Sequence, residues 1–525
     1  MSWKEITAGK IEDFEKNGLK TVEVDGAKIL IARVGDEFHA LSAFCTHYGA
    51  PLEKGVLSDG RIVCPWHHAC FNVKNGDILN PPAMNALVSY EAWKDGEILK
   101  VRIPEDMAKR RLPEMTRREP EADGRTFVII GGGAAGYSAA QSFRENGFKG
   151  RVIMITRERR LPYDRPNLSK DYLRGEAKDE WMPLRGDSFY ADHDIEIVEG
   201  KEVVSLDAET GKIVLEDGST MEPDGVLVAT GGRPRKLGVQ GSDLGNIFTL
   251  RSFDDADAII AAAKSASKAV VIGSSFIGME AAHSLTELGL KVTVIGKDAI
   301  PFEHVLGEEI GQLLKREHEG HGVVFELEKN VSRFFGEGKV ERVLLNDGAE
   351  IETDMVLVGI GVVPETGFVM GIELLPDGSI AVDGYLHAAG KVFAAGDIAS
   401  YPDLRAGTRS RIEHWRVAMQ QGRTAAMNML GMEMRYEGVP FFWTDQAGLN
   451  LQYVGHAQSW DSLITWGNVE DKEFITFYVS NGVVLAACGN WRDAEMAAIE
   501  ELFRLKKMPW PEELASGPIN LKALL

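Results

Sequence analysis

Two segments of the chain repeat one local pattern: RTFVIIGGGAAGYSAAQSF from Arg125 and KAVVIGSSFIGMEAAHSL from Lys268. Each reads as an apolar strand, a glycine turn and a helix of small residues. In the first, Gly131, Gly133 and Gly136 form G-x-G-x-x-G. The first glycine permits the tight turn, the second lets backbone approach a pyrophosphate, and the third lets helix pack on strand. Glu158 lies 22 residues past Gly136, at the end of the strand-like run RVIMITRE, placed to accept from ribose hydroxyls. A repeat about 140 residues apart implies two nucleotide-binding units rather than a solenoid, in a mostly parallel sheet with helices on both faces.

The second turn is degenerate. It reads Gly273-Ser274-Ser275-Phe276-Ile277-Gly278, with Ser275 standing for the middle glycine and expected to crowd the backbone slightly. Its next strand, KVTVIGKD, ends in Gly296 and Lys297, and Asp298 arrives two residues late. An acidic strand end selects NAD through the adenosine ribose, whereas a lysine suits the 2′-phosphate of NADP. The choice between NADH and NADPH is open at this point.

Residues 1–104 have a different texture. KTVEVDGAKILIARVGDEFHALSAFC alternates apolar and polar residues, with hairpin turns expected at Asp25-Gly26 and Gly35-Asp36, so this part is all-β. Within it, Cys45 and His47 make C-x-H and Cys64 and His67 make C-x-x-H, with sixteen residues between His47 and Cys64. A [2Fe–2S] cluster with two thiolates on one iron and two imidazoles on the other needs such a mixed set from two facing loops. Zinc on two cysteines and two histidines is the competing metal reading, but zinc fingers place both cysteines before both histidines. The chain has only four cysteines, Cys70 and Cys488 being the others, which is no disulfide framework and suits a reducing compartment.

The segments CTHYGAPLEKG and CPWHHACFNVKNGD closely resemble a Rieske domain, over about residues 1–104. The resemblance implies Cys45, His47, Cys64 and His67 as cluster ligands. High-potential respiratory members carry two more cysteines at positions held here by Ala50 and Trp66, so the likeness is to the ferredoxin and oxygenase type. Its potential is expected near the low end of the range, ~−150 mV. His68 stands where that family usually has glycine and reads as a spare, structural histidine. Cys70 reads as a buried neighbour.

Downstream, LPYDRPNLSKDYL, KVFAAGDIA and IEHWRVAMQQGRTAA resemble the ferredoxin-reductase and apoptosis-inducing-factor branch of the two-dinucleotide flavoprotein reductases, over about 125–525. The resemblance implies FAD contacts at Gly131, Gly133, Gly136, Glu158, Arg165, Lys170, Thr230 and Asp397, with Trp415 and Trp443 near the flavin ring. It implies NAD(P)H contacts at Gly273, Gly278, Lys297 and Gly361. Lys170 would stabilise the anionic reduced ring and Glu280 would hold that lysine, the two forming the catalytic pair. Disulfide reductases and NADH peroxidases need cysteines in the segment LPYDRPNLSK, which has none. The expected organisation is an all-β Rieske domain (1–104), a charged, proline-rich linker (105–124) and an α/β Rossmann-like reductase. In the reductase, FAD binds to 125–248 and 375–437, NAD(P)H to 249–374, and an α+β C-terminal domain fills 438–525. The helical run DAEMAAIEELFRLKK reads there as one amphipathic core helix.

The function expected is an electron-transfer reductase: NAD(P)H to FAD, FAD to the chain's own cluster, and outward to a protein acceptor such as an oxygenase or cytochrome. The alternative is a redox-sensing flavoprotein whose turnover is secondary. A net charge of −21 argues against nucleic acid or an anionic membrane as partner. No apolar run reaches the ~18 residues of a membrane span, and the start lacks a secretory signal, so a soluble, cytoplasmic protein is expected. The linker would hold the cluster at high effective concentration beside the flavin. Glu317, His318 and His321 invite a metal reading, but they are not H-E-x-x-H and read as a solvated helix end. No mononuclear iron triad follows the Rieske segment, so the chain is not itself an oxygenase. The oligomeric state is left open.

Overall fold

The alternating N-terminal run folds into antiparallel strands Gly18–Val24, Ala27–Val34 and Glu37–Ser42. Asp25 and Gly26 both take positive φ, the conformation a two-residue hairpin loop requires. These strands join Ser89–Asp95, Ile98–Pro104 and Trp3–Lys10 in one six-stranded sheet. A four-stranded antiparallel sheet, Val56–Ser58, Arg61–Val63, Cys70–Asn72 and Ile78–Asn80, is inserted between the fourth and fifth of them in sequence. The two cysteine–histidine loops leave that insertion side by side. This computed structural model describes residues 2–405 and 407–525.

Between residues 105 and 125 the charged stretch forms neither helix nor strand. It is tied down at intervals: Arg111 pairs with Ala86, the Thr116 amide donates to the Arg144 carbonyl at 3.0 Å, and that of Glu119 to Lys149 at 2.8 Å.

The two glycine turns sit in two sheets built to one register. In the first, Thr126–Ile130 pairs in parallel with Arg151–Thr156, and the Gly131 amide donates to the Ile155 carbonyl at 2.8 Å. In the second, Lys268–Ile272 pairs in parallel with Lys291–Ile295, and the Gly273 amide donates to the Ile295 carbonyl at the same 2.8 Å. The first sheet runs Ile195–Glu199, Arg151–Thr156, Thr126–Ile130, Gly225–Val228, Val392–Ala394, His387–Ala389, all parallel except the last pair. The second has five parallel strands, with Lys268–Ile272 at the centre. Parallel strands buried on both faces need apolar runs such as FVII and VVI rather than alternation.

The C-terminal unit is a five-stranded antiparallel sheet, from Phe441–Gln446 to Val483–Asn490, backed by the helix Asp493–Leu505. Its core is continuous with the Rieske insertion: Val56, Val63 and Cys70 pack in one cluster with Phe441, Ile499 and Leu502. Among the described residues, no helix is long and apolar enough to cross a membrane.

Candidate flavin cavity and cluster loops

The two loops bring their four candidate ligands to one point. The Nδ1 atoms of His47 and His67 face each other at 3.2 Å, with rings nearly perpendicular at a centroid separation of 4.9 Å. Cys45 and Cys64 are buried, unlinked and neighbours: the Cys64 contact and burial push the Cys45 thiol well up, whereas hydrogen bonds outweigh burial and lower Cys64. Burial pulls His47 down to about 4. Burial, His47, His68 and Lys170 together take His67 well below the ordinary histidine range. Two neutral imidazoles and two thiols converging on one buried point fit the donor set of a Rieske cluster. His68 does not join them. It turns away through a left-handed backbone (φ 54°) into the protein, where its ring stacks on Phe441 at 4.0 Å. Cys70 is a buried thiol that accepts from Arg61 at 3.0 Å.

Beside the loops, the two nucleotide-binding units and the C-terminal sheet enclose a cavity of about 770 Å³. Gly131 and Gly133 line its first end, and Gly136 lies behind them. A Cβ on Gly136 would sit 1.9 Å from the Gly131 carbonyl oxygen, and one on Gly131 2.3 Å from that of Ala229, so both glycines serve packing. A Cβ on Gly133 would meet nothing within 4 Å: this backbone faces the open cavity, as a pyrophosphate cradle must. Glu158 and Arg165 line the same end as an ion pair at 2.7 Å; burial raises the carboxyl, but Arg165 and its hydrogen bonds outweigh that and lower it. These features fit a bound dinucleotide such as FAD.

Thr230, Asp397 and Trp415 also line the cavity. Thr230 donates to the Glu365 carbonyl at 2.6 Å, and Asp397 accepts from Arg251 at 2.9 Å. Half-buried Lys170 and buried Glu280 line it as a pair at 2.7 Å, joined across 110 residues of sequence. Ser169 also donates to Glu280 Oε2 at 2.6 Å, and Thr444 to Oε1 at 2.7 Å; sequence reading named neither hydroxyl, although Thr444 adjoins Trp443. Trp443 lines the cavity and also touches the cluster loops: its ring centroid lies 4.4 Å from that of His67. Tyr48, next to His47, is hydrogen-bonded to Asp164 of the reductase.

On the coenzyme side, Gly278 and Gly361 line the cavity, whereas Gly273 and Lys297 do not. Gly273 makes the turn, with φ 104° and space for a Cβ blocked by the Gly359 carbonyl at 2.4 Å. Ser275 folds its hydroxyl back instead of crowding the approach: it donates to the Gly359 carbonyl at 2.8 Å and accepts from the Gly278 amide at 3.3 Å. It is an N-cap, the role serine favours at a helix start. The expected solvated helix end at His318 is also corrected. His318 is fully buried and bonded to Gln446, although His321 is exposed.

Two nucleotide-binding sheets over one cavity, with an iron–sulfur-type loop pair against its tryptophan wall, define a flavoprotein reductase carrying its own cluster domain. Comparison with known proteins agrees. Residues 125–422 match the family model for pyridine nucleotide-disulphide oxidoreductases, 4–91 that for the Rieske [2Fe-2S] domain, and 441–525 that for the reductase C-terminal domain. The chain is 36% identical over 503 residues to apoptosis-inducing factor 3 of Homo sapiens, covering 94% of this chain and 82% of that one. It is 32% identical over 400 residues to the ferredoxin–NAD(+) reductase subunit of the benzene 1,2-dioxygenase system of Pseudomonas putida, covering 76% and 97%. Among solved structures, the covalent putidaredoxin reductase–putidaredoxin complex aligns with a TM-score of 0.72 at 28% identity, covering 76% of this chain and 98% of that one. The ferredoxin reductase for the CYP199A2 system of Rhodopseudomonas palustris aligns with a TM-score of 0.72 at 31% identity, covering 76% and 99%.

The chain belongs to the pyridine nucleotide-disulphide oxidoreductase family. It is an FAD-dependent NAD(P)H oxidoreductase that passes electrons to its own Rieske [2Fe–2S] cluster.

Proposed function

We propose that electrons reach the cluster domain across Trp443 and leave to a separate protein acceptor, an oxygenase or a cytochrome. When bound, FAD would supply two-electron hydride chemistry and the [2Fe–2S] cluster one-electron chemistry. The chain's own residues position and tune these groups. Gly133 would present backbone to the pyrophosphate, and Glu158, steadied by Arg165, would accept from the ribose. Lys170, held by Glu280, sets a positive charge at the flavin ring. Cys45, His47, Cys64 and His67 would hold the two irons. The observation that carries this reading is the 4.4 Å contact between the rings of His67 and Trp443, because one side chain then belongs to both the flavin cavity and the cluster loops.

Purified protein is expected to hold one FAD and about two iron and two acid-labile sulfide per chain, with a rhombic Rieske-type paramagnetic signal on reduction. His67→Ala is expected to remove the cluster and leave flavin reduction by NAD(P)H, since the glycine turns lie on other elements. Tightly bound zinc in place of iron would sink the ligand assignment. Slow reduction ending in a long-lived charge-transfer complex, with no steady turnover of a one-electron acceptor, would make the protein a redox sensor instead.

A further inference from the structure

Gln446 is completely buried, and its amide can be oriented without ambiguity. Its Nε2 lies 3.2 Å from the carbonyl oxygen of Phe276, which can only accept, so that atom is the NH₂ group. The same Nε2 lies 2.8 Å from the Thr444 hydroxyl, which therefore accepts from Gln446 and turns its own proton to Glu280 Oε1 at 2.7 Å. The Gln446 Oε1 is then an acceptor, and His318 Nε2, at 2.9 Å, donates to it. His318 Nδ1 is buried with no partner, which suits a neutral ring, and burial brings this histidine down to about 4. One backbone carbonyl thus sets the polarity of the whole chain. Every donor from His318 through Gln446 and Thr444 points toward Glu280. The other oxygen of Glu280 accepts from Ser169 and Lys170.

We propose that Thr444 and Gln446 are positioning residues for flavin reduction: their one-directional hydrogen bonds fix Glu280 as an acceptor on both oxygens, and so hold the Lys170 side chain facing the flavin cavity. The chain also ties the helix Glu308–Gly320 of the second nucleotide unit, through His318, to a pair that faces the first. His283, His321 and Glu317 surround His318, and none of them interrupts this line of bonds.

The inference rests on the placement of Lys170 beside the flavin proposed above, and the test separates the two. Thr444→Val keeps the shape and leaves Glu280 Oε1 without its donor. In flavin-loaded protein, its rate of anaerobic flavin reduction by NAD(P)H is expected to fall about tenfold, with the coenzyme KM unchanged. The two-electron flavin midpoint potential should fall as well, about 30 mV for each tenfold change in the equilibrium, because the negative charge gained on reduction is less well balanced. Thr444→Ser is expected to restore both rate and potential. Gln446→Leu, which spares the hydroxyl, should shift both in the same direction by a smaller factor, and it carries the test if the valine variant does not fold. Wild-type potential and rate in Thr444→Val or Gln446→Leu, or a serine variant as impaired as the valine one, would overturn the inference. Loss of any potential shift in Lys170→Met as well would instead show that the lysine does not face the flavin.

Discussion

At the scale of single residues, Gly296 is the position we propose for coenzyme choice. A Cβ there would meet Leu327 Cδ2 at 2.9 Å and Ser274 Oγ at 3.2 Å, and the leucine methyl lies at the flexible end of its side chain. Gly296 is buried at the strand end, Lys297 is exposed, and Asp298 is engaged 3.5 Å from His304 Nε2. The strand-end position itself therefore carries no carboxylate to repel a 2′-phosphate. Gly296→Glu is expected to raise the NADH-to-NADPH ratio of kcat/KM by about tenfold, mostly through weaker NADPH binding. Kinetics with both coenzymes check it, and an unchanged ratio would mean this strand end does not meet the adenosine ribose. The sequence supports that reasoning because the identity of a strand-end residue is local. It was silent on Thr444, whose role exists only because Glu280, 164 residues away, lies 2.7 Å from it.

At the scale of elements, local pattern predicted existence well and partners poorly. Strand, glycine turn and small-residue helix were legible twice over, since close helix–strand packing restricts residue size at fixed positions. Ser275 was misread as a lost glycine because the motif reserves that position for ligand approach, whereas the helix start also needs a cap. Ser275→Ala is expected to destabilise the second nucleotide unit by about 1 kcal/mol, and Ser275→Gly by only a few tenths, as read by denaturant unfolding. The helix Asp493–Leu505 shows the opposite limit. Its spacing suggested one apolar face, yet Met496 to Phe503 are all buried, Glu500 and Glu501 among them at 4% and 1% exposure. Lying between the C-terminal sheet and the Rieske insertion, it has partners on two sides, and no pattern on one helix reveals the second.

At the scale of the whole molecule, Glu500 joins three units. It accepts from His68 Nδ1 of the Rieske domain at 2.6 Å and from Arg416 of the helix Trp415–Met429 at 2.6 Å. Arg416 also donates to the His68 carbonyl at 2.9 Å and the Pro81 carbonyl at 3.0 Å, and His68 Nε2 meets Gln452 at 3.0 Å. The Rieske domain is therefore held against the flavin cavity by buried, paired groups rather than by a tether alone. Burial raises the Glu500 carboxyl, but Arg416 and His68 outweigh it and bring it from 4.5 to about 2. A depressed carboxylate stabilises above its unfolded value, so this contribution, about 3 kcal/mol, is complete above pH ~4.5 and disappears as pH falls toward 2. Glu500→Gln leaves buried Arg416 uncompensated and is expected to cost about 3–5 kcal/mol and to flatten the stability profile between those pH values. Flavin-to-cluster electron transfer should slow in the variant while flavin reduction by NAD(P)H is preserved. Thermal unfolding against pH and stopped-flow spectra at flavin and cluster wavelengths are the measurements.

By itself the sequence determined the chemistry and the kinds of unit. Ligand spacing in two short loops, glycines where a Cβ would strike backbone and the apolar runs of doubly covered strands are constraints acting over a few residues, so they are written in consecutive letters. Only the tertiary structure decided which units touch. It put Trp443 against His67, turned His68 from a spare residue near a cluster into a pin between domains, and buried His318 at the head of a directed line of hydrogen bonds. Each of these pairs residues far apart in the chain, where the energy lies in desolvated contact and hydrogen-bond polarity that no local pattern encodes.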